Sequence, residues 1–213
     1  MNREVTTVAL FAMALLVSAA PLGAQMWFFP DYAVPSANGN PATYVAGTYG
    51  RGLNDDSGKI NAVGGVIGRT GESATFQAGF GVLTGDADNE LTLGGSVGAD
   101  VANSGSMTIS VQGGVGWMGP GDTNLMRVPI GVAFKGRVES PEAVIVPWVM
   151  PRVNYTRFSG GGFSSGETDI GASGGVSFTF PGGFGLHAAL DFLNGDGGDP
   201  IIFGIGGHYV TGR

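Results

Sequence analysis

The strands in this sequence have two faces that differ in chemical character. Residues 74–82 run Ala-Thr-Phe-Gln-Ala-Gly-Phe-Gly-Val. Because side chains alternate across a strand, the Ala, Phe and Val residues share one face, and the Thr, Gln and Gly residues share the other. The same alternation recurs in residues 91–99, 107–117, 126–134, 170–180, 184–192 and 201–209. The chain is therefore predicted to form a sheet with one apolar face and one face of small residues.

Neither face of these strands carries many charges, which limits the solvents that can surround them. Charged residues are 13% of the chain, about half the usual share of a soluble domain, and 41 of the 213 residues are Gly. An apolar face directed into lipid, with the small polar face lining a lumen, accounts for this composition. After the first twenty residues, no apolar run approaches the ~18 residues of a transmembrane helix. The predicted fold is therefore all-β: an antiparallel, up-and-down transmembrane β-barrel.

The N-terminus has the features of an export signal. Arg3 precedes an apolar stretch at residues 8–20, and Leu22-Gly23-Ala24 resembles a small-residue cleavage site. We predict a secretory signal peptide over residues 1–24; an anchor helix is the alternative, which Pro21 and Gly23 oppose. The chain has no Cys, which excludes lipidation at a cleavage-site Cys and any disulfide. Residues 25–42, rich in aromatics and prolines, are predicted to be a linker, a periplasmic tail or a lumen insert.

Ten strands are predicted in the barrel domain, residues 43–213. Their expected bounds are 43–52, 59–69, 73–83, 90–99, 106–117, 126–137, 143–157, 168–180, 184–193 and 200–210. Most have the roughly 9 to 11 residues that a tilted membrane strand needs. The first two strands and the seventh are the weakest, the seventh because it contains Pro147 and Pro151. An eight-stranded barrel without the first pair is the alternative.

The connections between strands alternate in character. If the N-terminus is periplasmic, the outer loops are 53–58, 84–89, 118–125, 158–167 and 194–199, and their acidic residues supply most of the net charge of −7. The inner turns lie at 70–72, 101–105, 138–142 and 181–183. Aromatic rings are expected at both lipid boundaries. They are Trp117, Tyr155, Phe158 and Phe192 at the outer one, and Phe178, Phe180, Phe184 and Tyr209 at the inner one, with Trp148 nearer mid-membrane.

The signal peptide, the short turns, the longer acidic loops and the alternating Gly and aromatic strands resemble the small outer-membrane β-barrel proteins of Gram-negative bacteria. The resemblance covers about residues 43–210. It implies a location in the cell outer membrane, contact with outer-membrane lipid and insertion by the barrel-assembly machinery. Such proteins often end in an aromatic residue that this machinery reads, whereas here Tyr209 lies four residues before the end.

Two histidines and an aspartate are predicted to meet in the lumen. His187 and Asp191 lie on the small-residue face of the ninth predicted strand. With the last turn centred on residues 196 and 197, His187 faces Gly206, and His208 is its diagonal neighbour. A metal site or a general base is conceivable there, because imidazole is a common metal ligand. The favoured interpretation is that these are lumen side chains satisfied by one another and by water, with no metal bound.

Three further charges are predicted to face inward. Arg127 and Lys135 share the inward face of the sixth strand, and Asp100 ends the inward face of the fourth. Large inward side chains appear scarce among the surrounding Gly and Ser residues. The inward Gly residues either permit tight coiling of a narrow barrel or leave a water-filled path, and the sequence leaves both explanations open.

Two acidic loops contain oxygen ligands of the kind that Ca²⁺ accepts. The weak candidates are Asp86 and Asp88 in one loop and Asp196 and Asp199 in the other. Asp, Asn and Gly are also the residues that hairpin turns select, and this is the favoured interpretation.

The predicted function is non-enzymatic. Two roles stay open: a structural or surface-exposed barrel, or a narrow pore for ions and small solutes with Arg127, Lys135 and Asp191 as selectivity residues. The alternatives are a soluble periplasmic ligand-binding barrel and an outer-membrane hydrolase that uses His187. No cofactor is expected. Nucleic-acid binding is not expected either, because the net charge is negative and no basic stripe exists.

Overall fold

The computed structural model describes residues 41–57, 60–84, 89–119, 123–195 and 198–211. The predicted signal peptide and residues 25–40 of the segment after it lie outside these residues. The strands are β1 (Ala42–Gly52), β2 (Asn61–Thr70), β3 (Ala74–Thr84), β4 (Glu90–Asn103), β5 (Met107–Met118), β6 (Thr123–Gly136), β7 (Val138–Glu139), β8 (Val144–Gly160), β9 (Phe163–Thr179), β10 (Phe184–Asn194) and β11 (Ile201–Thr211). A single 3₁₀ turn, Asp55–Ser57, follows β1 within the described part of the chain.

Ten of these strands form a closed antiparallel barrel. Each long strand pairs with its neighbour in the chain, and β1 pairs with β11 over ten residue pairs to join the two ends. The short strand β7 pairs only with β8, and β6 pairs directly with β8 to close the ring. The prediction of ten strands is confirmed. The eight-stranded alternative is wrong, because β1 and β2 are regular strands in continuous register.

Burial alternates along the strands with period two, as predicted. The outward positions are apolar and exposed: Phe80 is 63% exposed, Ile130 60% and Ile170 68%. The inward positions are largely buried. A closed barrel hides its small and polar residues and presents Val, Ile, Leu and Phe to its surroundings, which is the surface of a barrel that lies in lipid.

No helix among the residues that the structure describes has the length and apolar character needed to cross a membrane.

The two ends of the barrel are different. At the turn end, where β1 begins and β11 ends, Gly71 donates its backbone N–H to the carbonyl of Ala74 across a tight turn at 2.6 Å. At the loop end, the predicted loop 158–167 is wrong. There, β8 and β9 continue as a paired hairpin of two 17-residue strands that turns at Gly161 and Gly162. Both of these Gly residues have positive φ (56° and 82°), which a tight two-residue hairpin turn requires.

The prolines do not interrupt the seventh long strand, β8. Pro147 and Pro151 both point outward, and β8 pairs with β9 along its whole length. The ladder between β6 and β8 omits the positions around Pro151, which has no N–H to donate, yet the register is the same on both sides. β4 runs past its predicted end to Asn103, because a bulge between Asp100 and Ala102 lets the pairing with β5 continue.

Two aromatic residues face the other way from the prediction. Phe158 and Trp148 point into the barrel, with exposures of 5% and 6%. Both lie in β8, where every second residue from Val146 to Phe158 is buried. The lumen therefore contains two aromatic rings that were predicted to face lipid, Phe158 at the outer boundary and Trp148 nearer mid-membrane.

Candidate functional site

The lumen is filled by side chains, and the expectation that large inward residues are scarce is wrong. A buried apolar cluster joins residues from eight of the ten long strands. Its larger members are Tyr44, Ile60, Leu83, Met118, Leu125, Trp148, Met150 and Phe158. Buried polar and charged side chains occupy the rest of the interior, among them Arg127, Arg152, Asp169, Asp191, His187 and His208.

Bulky inward side chains stand opposite Gly on a neighbouring strand. We call these Gly residues the recess glycines. The pairs are Tyr44 with Gly68, Arg127 with Gly116, Arg152 with Gly131, Trp148 with Gly175, His187 with Gly206, and His208 with Gly185. At Gly68, a Cβ atom would overlap the Tyr44 ring; at Gly131, it would lie 2.8 Å from the carbonyl oxygen of Pro151. The inward Gly residues therefore have a third role, because the absence of a side chain leaves space for the large residue on the neighbouring strand. Large and small residues alternate inside the barrel, as a narrow barrel requires.

The centre of the lumen holds a buried ion pair. Arg152 on β8 binds Asp191 on β10 through its guanidinium, and it also donates a hydrogen bond to Ser173 on β9. The Ser173 hydroxyl lies 3.1 Å from Asp191 Oδ1. Arg152 and Asp191 are 3% and 7% exposed. Charges buried to this extent need a partner, and here each charge has one.

Arg127 lies beside this ion pair. Its Nε donates to the Thr156 hydroxyl at 2.8 Å, and the side chain is 2% exposed. Asp169, Asp191 and Glu167 attract it electrostatically. Nearby Asn154 is fully buried, and its side-chain amide has no hydrogen-bond partner among the residues that the structure describes. Arg127 and Asp191, both predicted to face the lumen, therefore lie close enough to interact electrostatically.

The two histidines meet, as the predicted register requires. His187 pairs with Gly206 across β10 and β11, and the rings of His187 and His208 stack with centroids 5.6 Å apart. The Nδ1 atoms are 3.3 Å apart. Each Nε2 contacts a threonine hydroxyl, from Thr48 at 2.8 Å and from Thr179 at 2.9 Å.

Lys135 and Asp100 lie together, away from Arg127. The Lys135 Nζ is 3.8 Å from Asp100 Oδ1, and Ser110 donates to the same carboxylate oxygen at 2.6 Å. Their side chains are 25% and 31% exposed, so this pair lies at the edge of the interior. The candidate residues thus form separate clusters and do not line one continuous path.

Of the four weak calcium candidates in the acidic loops, the structure describes only Asp199. Asp86, Asp88 and Asp196 lie outside the described residues. The Asp199 carboxylate accepts a hydrogen bond from Asn194 at 2.8 Å, and its backbone N–H donates to Asp56. No group of three or more His, Cys, Asp or Glu that could hold a metal ion occurs among the residues described.

Sequence analysis missed Arg152, which forms the central ion pair. The signal for it was present, because Arg152 has the same parity as Val146, Trp148 and Met150 in β8. The two prolines hid that pattern by making the strand look interrupted. The other missed partners, Ser173 and Thr156, were visible only as members of an inward face.

The fold and its surface define the class of protein. The barrel is closed and antiparallel, its exterior is apolar, and its polar residues are enclosed. In a closed barrel, the backbone N–H and C=O groups pair between neighbouring strands and no open sheet edge faces lipid. The outward side chains are then the groups that contact lipid. The protein therefore has the fold and the exterior of a transmembrane β-barrel.

Comparison with known proteins gives likeness of fold alone. No protein-family model matches the chain, and no match was found among curated proteins. Among solved structures, the β-domain of the Bordetella autotransporter BrkA is similar with 14% identity and a TM-score of 0.49, over 80% of this chain and 98% of that one. The translocator domain of autotransporter NalP from Neisseria meningitidis is similar with 11% identity and a TM-score of 0.45, over 97% of both chains. The N-terminal barrel domain of Pseudomonas aeruginosa OprF is similar with 14% identity and a TM-score of 0.39, over 80% of this chain and 97% of that one.

Proposed function

We propose that this protein is a non-enzymatic outer-membrane barrel whose lumen is closed by its own side chains, and that it acts as a structural or surface-exposed element of the membrane. The burial of charged residues in the lumen carries this proposal. Arg127, Arg152 and Asp191 are only 2 to 7% exposed. In a water-filled pore, charged residues that face the lumen would be in contact with water.

The interior supports a non-enzymatic role. A hydrolase needs a nucleophile and a base that a substrate can reach. Thr48 and His187 are within hydrogen-bond distance, but they are 5% and 2% exposed. The other ring nitrogen of His187 faces His208 and not a carboxylate that would orient it. A substrate would have to displace the buried side chains before it could meet this pair.

The residues on the outside of the barrel indicate which partners the protein would contact. The outward Val, Ile, Leu and Phe residues would contact outer-membrane lipid, and the barrel-assembly machinery would insert the chain, as its resemblance to small outer-membrane barrels implies. The acidic residues at the loop end, such as Asp55 and Asp56, would face the cell exterior.

A narrow pore for ions or small solutes is the second candidate. It is favoured by two buried polar groups, the Asn154 amide and Asp191 Oδ2, that have no hydrogen-bond partner within the described part of the chain. Water would satisfy these atoms if the interior opened. In that case Arg127, Lys135 and Asp191 would determine ion selectivity.

Single-channel recording in a planar lipid bilayer distinguishes the two candidates. The sample is the full chain purified in detergent, with folding checked by a gel mobility that shifts on boiling. We expect no current steps from the wild type. The double variant Arg152→Gly with Trp148→Gly removes two of the large side chains and is the control for an opened lumen, in which steps should appear. Discrete steps from the folded wild type would support the pore and overturn the closed barrel.

A further inference from the structure

The outer face of the barrel contains an apolar groove that crosses strands β2 to β6. Its floor is formed by the outward residues Ala78, Gly95 and Gly113. Larger outward residues flank the floor and are 52 to 60% exposed; they are Ile67, Phe76, Val97, Val115 and Ile130. The groove has a volume of about 850 Å³, within the roughly 300 to 1,000 Å³ of ligand sites. A concave apolar surface of this size lies on the side of the wall that faces lipid.

The groove runs from the turn end of the barrel towards the middle of the wall. The register places Arg69, Phe76, Val97, Gly113 and Ile130 in one row across the strands. Arg69 is one residue from the turn end of β2, whereas Gly113 and Ile130 are each six residues from the turn ends of β5 and β6. The row therefore begins at the lipid boundary and ends deeper in the membrane.

The dimensions of the row match those of one membrane leaflet. Four strand spacings of about 4.8 Å make the row roughly 19 Å long. With a strand tilt of about 35 to 45°, the row rises by roughly 11 to 13 Å along the barrel axis. The hydrocarbon core is about 30 Å thick, so the acyl chains of one leaflet cover roughly 15 Å. The groove thus follows the depth that an acyl chain occupies.

A positive charge marks the boundary end of the groove. Arg69 lines this end and is exposed. Within the described strands β2 to β6, it is the one charged residue that faces outward. Its side chain has no ion pair or hydrogen-bond partner among the residues that the structure describes. A guanidinium group in this position suits a phosphate group, to which it can donate two parallel hydrogen bonds.

We propose that this groove binds one glycerophospholipid, with its phosphate at Arg69 and one acyl chain along the row from Phe76 to Ile130. General contact with lipid requires neither a groove nor a fixed position for the headgroup. The proposal therefore assigns a specific lipid site to one side of the barrel wall.

The groove favours an acyl chain over a polypeptide. The strands that form it are already hydrogen-bonded to both neighbours, so a peptide such as residues 25–40 would leave its backbone groups unpaired in lipid. A second copy of the barrel is also disfavoured. The described long strands carry no Asp or Glu on their outward faces, so the wall of a second copy would give Arg69 no carboxylate.

Photochemical cross-linking tests the site on the full chain folded in detergent. The probe is phosphatidylglycerol with a photoactivatable group at the end of one acyl chain. We expect cross-links in β5 and β6 near Gly113 and Ile130, located by peptide mass spectrometry. Unlabelled phosphatidylglycerol should compete, and diacylglycerol with the same chains should not, because it has no phosphate. Cross-links spread evenly around the barrel, or equal competition by diacylglycerol, would overturn the proposal.

Variants at the boundary end test the role of the charge. Arg69→Gln should weaken phosphatidylglycerol binding by about 5-fold, the effect of one Arg at an anionic lipid surface. Arg69→Lys should keep most of the binding, because the positive charge remains. Arg51→Gln is the matched control, because Arg51 also faces outward but lies near the loop end of β1, outside the groove. An equal loss in Arg69→Gln and Arg51→Gln would contradict the site.

Variants in the floor test the groove itself. Gly113→Leu would fill it, and the new Cβ would meet its nearest atom, the Pro129 carbonyl oxygen, at an ordinary 3.7 Å. Gly207→Leu is the matched control on the outer face of β11, where the Cβ would lie 3.6 Å from the Gly185 carbonyl oxygen. Phosphatidylglycerol binding should weaken several-fold in Gly113→Leu and stay unchanged in Gly207→Leu. Equal binding by these two variants would refute the groove as the site.

Two other occupants would be recognised by the same cross-linking experiment. Cross-links that join two copies of the chain, or that join the groove to residues 25–40, in place of cross-links to lipid would overturn the proposal. The wild-type cross-links decide the question even if a variant fails to fold. The closed-lumen proposal would stand in either case, because it concerns conductance through the interior and not binding on the outer face.

Discussion

The lumen has two walls that are built on opposite principles. The glycine wall is formed by the inward residues of β2 to β5. Gly64, Gly68, Gly81 and Gly94 lie there among inward residues that are mostly uncharged, such as Ala62, Val66 and Ser96, and Asp100 lies at the end of its inward face in β4. The charged wall is formed by the inward residues of β6, β8, β9 and β10. Its charged residues are Arg127, Lys135, Arg152, Glu167, Asp169 and Asp191.

The two walls show how small and large side chains together fill a narrow barrel. On the glycine wall, the Tyr44 ring lies over Gly68 and its hydroxyl binds Gln77, which donates to Ser96 at 2.7 Å. On the charged wall, Arg152 pairs with Asp191, and both Arg127 and Arg152 stand opposite recess glycines. Lys135 pairs with Asp100 of the glycine wall. The glycine wall has mostly small inward side chains, which leave space in the lumen. The charged wall has the long charged side chains that fill this space.

The largest change in the free energy of unfolding is expected when the charged wall loses one member of its buried ion pair. Asp191→Ala would leave the Arg152 guanidinium buried without its carboxylate. The free energy of unfolding should fall by about 3 to 5 kcal/mol, measured by urea unfolding in lipid vesicles. Adding Arg152→Met should recover much of the loss, because no buried charge then remains. A single-variant cost below about 1 kcal/mol would show that the ion pair is not enclosed.

An intermediate effect is expected on the glycine wall. Gly68→Ala would push its methyl group into the Tyr44 ring and separate Tyr44 from Gln77, at a cost of about 1 to 3 kcal/mol in the same unfolding assay. Gly65→Ala in the same strand is the matched control. Gly65 faces outward, and its Cβ would meet its nearest atom, in Phe80, at an ordinary 3.5 Å. Equal costs for the two variants would refute the role of the recess glycines.

The smallest change in the free energy of unfolding is expected for an ion pair that lies outside both walls. Arg137 and Glu139 form an ion pair at 2.7 Å near the turn end, but the Glu139 side chain is 60% exposed. Glu139→Gln should cost about 0.5 kcal/mol or less and should matter less as salt is added. A loss as large as that of Asp191→Ala would mean that burial does not distinguish the two ion pairs.

The fold was predictable from the sequence because most strands alternate apolar residues with small or polar ones. Alternation in 74–82 and 184–192 fixed the faces, and the turn at residues 196 and 197 was enough to bring His187 opposite Gly206. Strand ends were less predictable. The β8–β9 hairpin reaches Gly160 and Phe163 because backbone pairing continues where the apolar alternation stops.

The site was predictable only in part. Arg127 and Asp191 could be placed in the lumen by parity, but their partners depend on which strands close the barrel. Arg152 reaches Asp191 across β9, a relation between strands two apart that no local pattern contains. The recess glycines were visible as inward Gly residues, but that each one faces a large side chain follows only from the register.

Cysteine accessibility tests the closed lumen most directly, since the natural chain has no Cys. Ser110→Cys places a thiol on the glycine wall and Ser177→Cys places one on the charged wall, at positions that are each 1% exposed. Ser164→Cys, at an exposed position in β9, is the control. With a small water-soluble thiol reagent, the folded protein should react rapidly at residue 164 and very slowly at 110 and 177, and all three should react alike after unfolding. Rapid reaction at both lumen positions in the folded barrel would contradict the account.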